Sequence, residues 1–452
     1  MTTIRFRKGT QTIGGTFIEV ETAAAKCMFD FGYTSATGVI DEAARSWRKR
    51  RAFEMVTLGL LADTDGIYQE ADALRLGLKP YGDPSMEQEC FFLLSHMHID
   101  HMGALNMLAP EIPVYMSRQS LEMYAALTED DRENAHPACI GMEPFVSTTI
   151  GDVTVLPVPI DHDILGALGF LITTPDGTIC YTGDFRLHGF HPEYTGTFAA
   201  TCQGADVLIT EGTSASFYDE FDMTDLSKPE TPHRTEYDLQ REMTEIIRDT
   251  KGLPILNCYN RNVERIHGLV EITKAAGKTF VADDETAGLL KAFYPEDEVA
   301  VYDQILKEGA NMTKAISAGY RLVSTKEMLT DPGKYVLRLG FQDIYHLCGL
   351  AHVVSLYVHF DGVPLGAYDV RYQMMFRILE KLGIEYKNLA LGGHATPYDL
   401  RTVIDEISPR VLVPVHSAKP WNVSSAHCEH RFLPKEGELL LLPIEENKWE
   451  TT

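Results

Sequence analysis

The chain has 452 residues, 44% hydrophobic and 23% charged, which is enough for two domains with substantial cores. Its 40 Lys and Arg against 65 Asp and Glu leave a formal net charge of −25. That excludes a protein whose whole surface coats nucleic acid or an anionic membrane. A local basic groove on an acidic body stays open, and 16 His justify a search for metal sites.

The N-terminal residues 1–9 are basic, but no apolar signal-peptide core follows them. Residues 16–21 alternate as a strand, and 27–29 form a second that ends in a turn at Asp30-Phe-Gly32. Residues 36–85 read as helical and irregular, most helical over 43–61. Residues 90–94 form a buried strand, and further strands are expected at 153–159, 169–174, 178–182 and 206–210. After Gly212 the pattern changes. A polar, Pro-containing stretch over 213–234 reads as a linker. Thr235 then caps a helix running to about residue 250. A strand at 254–259, a helix at 262–276 and a strand at 279–283 make a βαβ unit, hence a parallel sheet in a second α/β domain. Thr396-Pro-Tyr-Asp399 starts a helix with its apolar stripe at Leu400, Val403, Ile404 and Ile407. Residues 411–415 form a strand that delivers His416. No apolar run approaches the roughly 20 residues of a membrane helix, so no membrane partner is expected. The eight Cys are dispersed without a CxxC pair and read as core residues in a reducing compartment, the cytoplasm.

The strongest local signal is Ser95-His96-Met-His98-Ile-Asp100-His101, directly after the 90–94 strand. In extended chain, His96 and His98 point to one side and can share a metal. Asp100 and His101 follow as the chain turns and can face a second ion. Imidazole and carboxylate donors suit zinc or a similar divalent ion, which makes hydroxide available at neutral pH. Three further residues stand at strand ends: His162 after Leu156-Pro-Val-Pro-Ile160, Asp184 in Tyr181-Thr-Gly-Asp184, and His416.

This order of motifs, with the opening Ile13-Gly-Gly-Thr16 and Asp30 as a structural acid, resembles the metallo-β-lactamase fold. The resemblance implies an αββα sandwich with a dinuclear site at one edge. It assigns His96, His98 and His162 to one metal and Asp100, His101 and His416 to the other, with Asp184 bridging. His at position 101 is similar to the zinc hydrolases rather than the diiron oxygen-reducing branch. The long gap between Asp184 and His416 resembles the insertion of a β-CASP cap, the mark of nucleic-acid-processing members. Asp206-Val-Leu-Ile-Thr-Glu211, Leu391-Gly-Gly-His394-Ala395 and Val413-Pro-Val-His416 resemble motifs A, B and C of that family, and the whole is similar to ribonuclease J. The implied domains are residues 1–212 and 366–452 for the metallo-β-lactamase unit and 213–365 for the cap.

The resemblance implies a zinc-dependent ribonuclease, exonuclease or endonuclease, that hydrolyses RNA phosphodiesters with hydroxide activated by two divalent metal ions. Its substrate partner is single-stranded RNA, and homodimerisation is a further implication. Catalysis falls to Asp100, Asp184, His394 and Glu211, with His394 as general acid oriented by Glu211. Gly393, His394, Ala395 and Ser417 are expected to bind the substrate phosphate. Basic positions for RNA are Arg45, Arg48, Lys49, Arg50 and Arg51, with Arg261 and Arg265 in the cap. Cys428 between His427 and His430 reads as coincidence. Two departures from ribonuclease J stand out: residues 335–342 do not match its Gly-rich cap stretch, and motif C continues as Ser417-Ala-Lys419-Pro rather than Gly-Glu. They leave a small-molecule hydrolase of the same fold and a non-catalytic RNA-binding scaffold as alternative readings.

Overall fold

The computed structural model describes residues 1–33, 51–219, 222–229, 233–306, 318–367 and 369–444. The first of three seven-stranded sheets runs, edge to edge, Leu439–Leu442, Thr2–Lys8, Phe17–Glu21, Ala25–Phe29, Glu89–Leu93, Val114–Ser117 and Cys139–Met142. It is antiparallel up to Ala25–Phe29 and parallel beyond. The second runs His430–Arg431, Val411–Val415, Val207–Glu211, Gly177–Tyr181, Leu168–Thr174, Val153–Pro159 and Thr148–Ile150. Its first four strands are parallel to one another, and the remaining pairings are antiparallel.

These two sheets pack face to face, because alternate residues on each are apolar. Phe29, Phe91 and Leu93 from one meet Phe170, Ile179, Tyr181, Val207 and Val413 from the other in one core. The residues between them point outward and are buried again under helices. Leu208 and Leu412 lie beneath helices Pro192–Thr201 and Pro397–Ile407. Phe92 and Val114 lie beneath helices Ala52–Thr57, Glu70–Leu76 and Arg118–Leu127. The result is the αββα sandwich.

The third sheet is entirely parallel: Arg321–Val323, Val299–Tyr302, Thr279–Ala282, Tyr335–Arg338, Leu253–Asn257, Val354–His359 and Tyr386–Asn388. Helices Glu236–Asp249, Val263–Ala275 and Asp284–Phe293 cover one face, and Thr325–Thr330 and Val370–Leu382 cover the other. Parallel strands buried on both faces are near-continuous apolar runs, as in Leu253-Pro-Ile-Leu. The last strand and helix of this cap lie beyond the expected boundary at residue 365. Tyr386–Asn388 pairs in register with Tyr357–His359, which draws the chain back only after residue 388. Among the described residues no helix is long and apolar enough to cross a membrane.

An ion cluster with a fully buried centre joins cap and sandwich. Glu236, the first residue of its helix, accepts from Arg186 of the sandwich at 2.8 Å and from Arg265 at 2.5 and 3.0 Å. Arg265 also pairs with Asp361 at 2.9 Å. Burial opposes the Glu236 carboxylate, but Arg265 and Arg186 outweigh it and hold the group below its ordinary value of 4.5. The stability this supplies is therefore present above pH 4.5 and lost as pH falls through the depressed folded-state value. Glu236→Gln would leave two buried cations short of a partner. Its expected cost is about 3–5 kcal/mol, read as a lower denaturant midpoint at neutral pH; an unchanged midpoint would count against this role.

Candidate metal centre

The strands Glu89–Leu93, Val153–Pro159, Gly177–Tyr181, Val207–Glu211 and Val411–Val415 bring their carboxyl ends to one edge of the sandwich, and the motif residues follow those ends. Two glycines make room for the His-x-His-x-Asp-His turn. A Cβ on Gly32 would lie 2.0 Å from the Asp100 carbonyl carbon, and one on Gly14, at φ +80°, 2.6 Å from its carboxylate. Asp30, held at φ +54°, ties the turn down. It accepts from Ser95 N at 2.7 Å, Ser95 Oγ at 2.9 Å and Tyr181 Oη at 2.5 Å, and lies 2.8 Å from His101 Nδ1.

Two clusters of ligand atoms follow the motif residues, and a third group of such atoms joins Asp184, Glu211, His394 and His416. In the first, His98 Nδ1 is 3.1 Å from His96 Nε2 and 3.2 Å from His162 Nε2, and Asp184 Oδ2 is 3.8 Å from His96 Nε2. In the second, His101 Nε2 is 3.2 Å from His416 Nε2, and Asp184 Oδ2 lies 3.2 Å from the former and 3.4 Å from the latter. Asp100 Oδ2 is 3.2 Å from His416 Nε2. A tetrahedral zinc with bonds of about 2.0–2.1 Å would set its ligand atoms roughly 3.3 Å apart. The spacing fits, and so does the donor set of imidazoles with a shared carboxylate. Asp184 Oδ1 is buried without a hydrogen-bond partner, as an oxygen reserved for an ion would be.

The electrostatics of the first cluster agree. Burial, reinforced by its imidazole neighbours, pushes His96 far below its ordinary pKa. Burial also lowers His98, and takes His162 to about 3 against the pull of Asp163. All three are thereby held neutral, the form whose lone pair binds metal. Burial opposes charge on His101 as well, but Asp184, Asp100 and Asp30 overcome it and raise that group. Asp184 is held well below the carboxylate range by His416, His101 and His394 despite its burial.

Beside the clusters, Glu211 is buried and accepts from Phe185 N at 3.3 Å and Thr213 N at 3.0 Å. His394 Nδ1 stands 3.1 Å from Glu211 Oε1. Burial disfavours the imidazolium, yet Glu211 and Asp184 prevail, and His394 rises to about 10. His394 and Asp100 keep 26% and 30% of their side-chain surface exposed, whereas Asp184 and Glu211 keep 2% each. The open face of the site is therefore the face that carries Asp100 and His394.

Other expected positions are arranged differently. Gly393 lies next to His394 and its carbonyl accepts from His162 Nδ1 at 2.6 Å. Ala395 does not offer its amide to a phosphate, because that N–H donates to Phe185 O at 2.6 Å. Ser417 is fully buried, with Oγ bonded to Ser216 Oγ and Lys419 N, because His416 at φ +49° turns the chain back into the protein. Arg265 is spent on Glu236 and Asp361, and Arg261 is buried against the Met97 carbonyl, so neither lines a basic groove. Arg51 pairs with Asp72, while Arg45, Arg48, Lys49 and Arg50 lie outside the described residues. Cys428 joins no metal-type cluster among the described residues.

Sequence reasoning passed over Asp163, Tyr259 and Thr213. Asp163 Oδ1 lies 3.3 Å from His98 Nε2, the Tyr259 ring packs 5.2 Å from that of His98, and Thr213 Oγ1 is 2.9 Å from His416 Nδ1. The Asp-His-Asp triplet at 161–163 was the one visible signal.

A model of the beta-lactamase superfamily domain matches residues 80–252. Ribonuclease J of Pyrococcus abyssi is 23% identical over 76% of this chain and 78% of its own. Ribonuclease J of Sinorhizobium meliloti is 25% identical over 72% of this chain and 57% of its own. The chain has the metallo-β-lactamase fold and is similar to ribonuclease J. These similarities place it among metal-dependent hydrolases. Ribonuclease J 2 of Streptococcus pyogenes shares 22% identity, and the chain spans 58% of its length. A crystal structure of a protein of unknown function from Enterococcus faecalis V583 superposes with a TM-score of 0.79 at 29% identity, covering 98% of this chain and all of that one.

Proposed function

We propose that the chain is a ribonuclease that hydrolyses single-stranded RNA at a centre of two divalent ions, with zinc the ion its donors suit best. The reading rests above all on Asp184, a buried carboxylate shared by two clusters of ligand atoms and adjoining the Glu211–His394 pair. In it, His96, His98 and His162 hold one ion, Asp100, His101 and His416 hold the other, and Asp184 bridges. The cap begins near Glu236 and ends near Leu391.

When bound, two such ions supply hydroxide at neutral pH and neutralise charge on a phosphate. The chain's own residues do the rest. Asp100, on the open face, orients the attacking oxygen. Glu211 holds Nδ1 of His394, which leaves Nε2 to donate a proton to the leaving oxygen of the scissile ester.

A small-molecule phosphodiester or ester is the second reading, favoured by the net charge of −25 and by the internal use of Arg261 and Arg265. One experiment separates the two. The protein is incubated with 5′-phosphorylated, 3′-labelled RNA and with single-stranded DNA, with and without chelator. Chelator-sensitive cleavage of RNA is expected, a ladder from the 5′ end marking an exonuclease and discrete fragments an endonuclease. Intact RNA beside hydrolysis of a small diester would decide for the second reading.

A further inference from the structure

The two ligand clusters differ in how much support they take from the cap. In the second, His101 Nδ1 rests on Asp30 at 2.8 Å and His416 Nδ1 on Thr213 Oγ1 at 2.9 Å, and both supports belong to the sandwich. In the first, His96 is held that way through Ser95 Oγ at 2.9 Å, and His98 Nε2 lies 3.3 Å from Asp163 of the sandwich, but the cap adds contacts of its own. His98 is flanked by cap residues. Arg261, on the turn after the cap strand Leu253–Asn257, donates Nη1 to the Met97 carbonyl at 2.5 Å, between the two histidines of His-x-His. The Tyr259 ring lies against the His98 imidazole. The support of His162 is equally indirect. Its Nδ1 meets Gly393 O, and the preceding Gly392 is gripped by Asp361 at its amide, 2.8 Å, and by Arg186 at its carbonyl, 3.2 Å, both members of the cap-joining ion cluster.

Arg261 is 4% exposed and, among the described residues, has no carboxylate within ion-pair distance. Placing an unpaired guanidinium there is costly, and what it gains is one carbonyl in the middle of the ligand motif, with the Met102 sulfur 4.0 Å away. We infer that Arg261 is a positioning residue for the first metal site, and that the affinity of that site is set by how the cap is docked, while the second site is independent of the cap. The inference rests on the two-ion reading above.

The test uses the full chain loaded with zinc and dialysed against a graded chelator. Bound zinc is counted by mass spectrometry, and the retained ion is located by anomalous scattering in crystals. Wild-type protein is expected to keep two ions. Arg261→Gln is expected to lose the ion at His96, His98 and His162 with about 10–100-fold weaker affinity, and to keep the other. Thr213→Val is expected to weaken the ion at Asp100, His101 and His416 instead. Circular dichroism and the unfolding midpoint check that each variant folds, and Arg261→Lys, which retains a donor, should recover part of the affinity. Two ions retained by Arg261→Gln at wild-type affinity, or an equal loss from both sites in a folded variant, would overturn the inference. A wild-type chain that binds no zinc would instead overturn the two-ion reading itself.

Discussion

His394→Ala should leave zinc content unchanged while turnover falls about 10²–10⁴-fold. The side chain borders both clusters, 3.8 Å from Asp184, without completing either the first or the second. Its Nδ1 is committed to Glu211 and its ring is partly exposed, which is the geometry of a proton donor held by a buried acid. The loss should fall on kcat more than on KM, because a proton delivered to the leaving oxygen matters only in the transition state. Single-turnover rates alongside metal analysis check this; full activity, or loss of metal, would remove His394 from its catalytic role.

A larger effect is expected for His98→Ala, which should abolish cleavage by emptying the first metal position. His98 Nδ1 lies between the ligand nitrogens of His96 and His162, 3.1 and 3.2 Å from them, so its removal breaks the cluster in the middle. The same substitution strands Asp163, a buried carboxylate held well below the usual range, against its burial, by His98 and His162. Loss of a ligand and of that partner act in the same direction. Zinc per chain after dialysis should drop by one, and a variant that still holds its full complement would refute the assignment.

Much of this site was legible because its residues follow strands. A buried strand has a recognisable apolar run, and a His or Asp directly after it lies at a sheet edge whatever the rest of the fold does. His96 through His101, His162, Asp184 and His416 were singled out that way, and Glu211 by its resemblance to motif A. What could not be read was which polar neighbour faces inward. Asp161 and Asp163 flank His162 symmetrically in sequence, yet Asp161 turns to the amide of Gly189 while Asp163 turns to His98. Arg261 and Arg265 looked like contacts for RNA because charge alone does not reveal burial. Their partners, Met97, Glu236 and Asp361, are remote in the chain. Ser417 was misread for a conformational reason: the left-handed backbone at His416, rare for a residue with a side chain, reverses the expected direction. The cap outruns residue 365 because Tyr386–Asn388 is a short and largely polar edge strand.

The pairing of Val411–Val415 beside Val207–Glu211, in register from Val207↔Val411 to Glu211↔Val415, has a consequence for biosynthesis. As the chain leaves the ribosome, the three-imidazole cluster has all its histidines by residue 162, and the whole cap emerges before residue 416. The second cluster cannot close until Val411–Val415 pairs with Val207–Glu211. So distant a contact is among the slowest to form. In the reading proposed above, a two-ion centre therefore closes only after the cap has been synthesised.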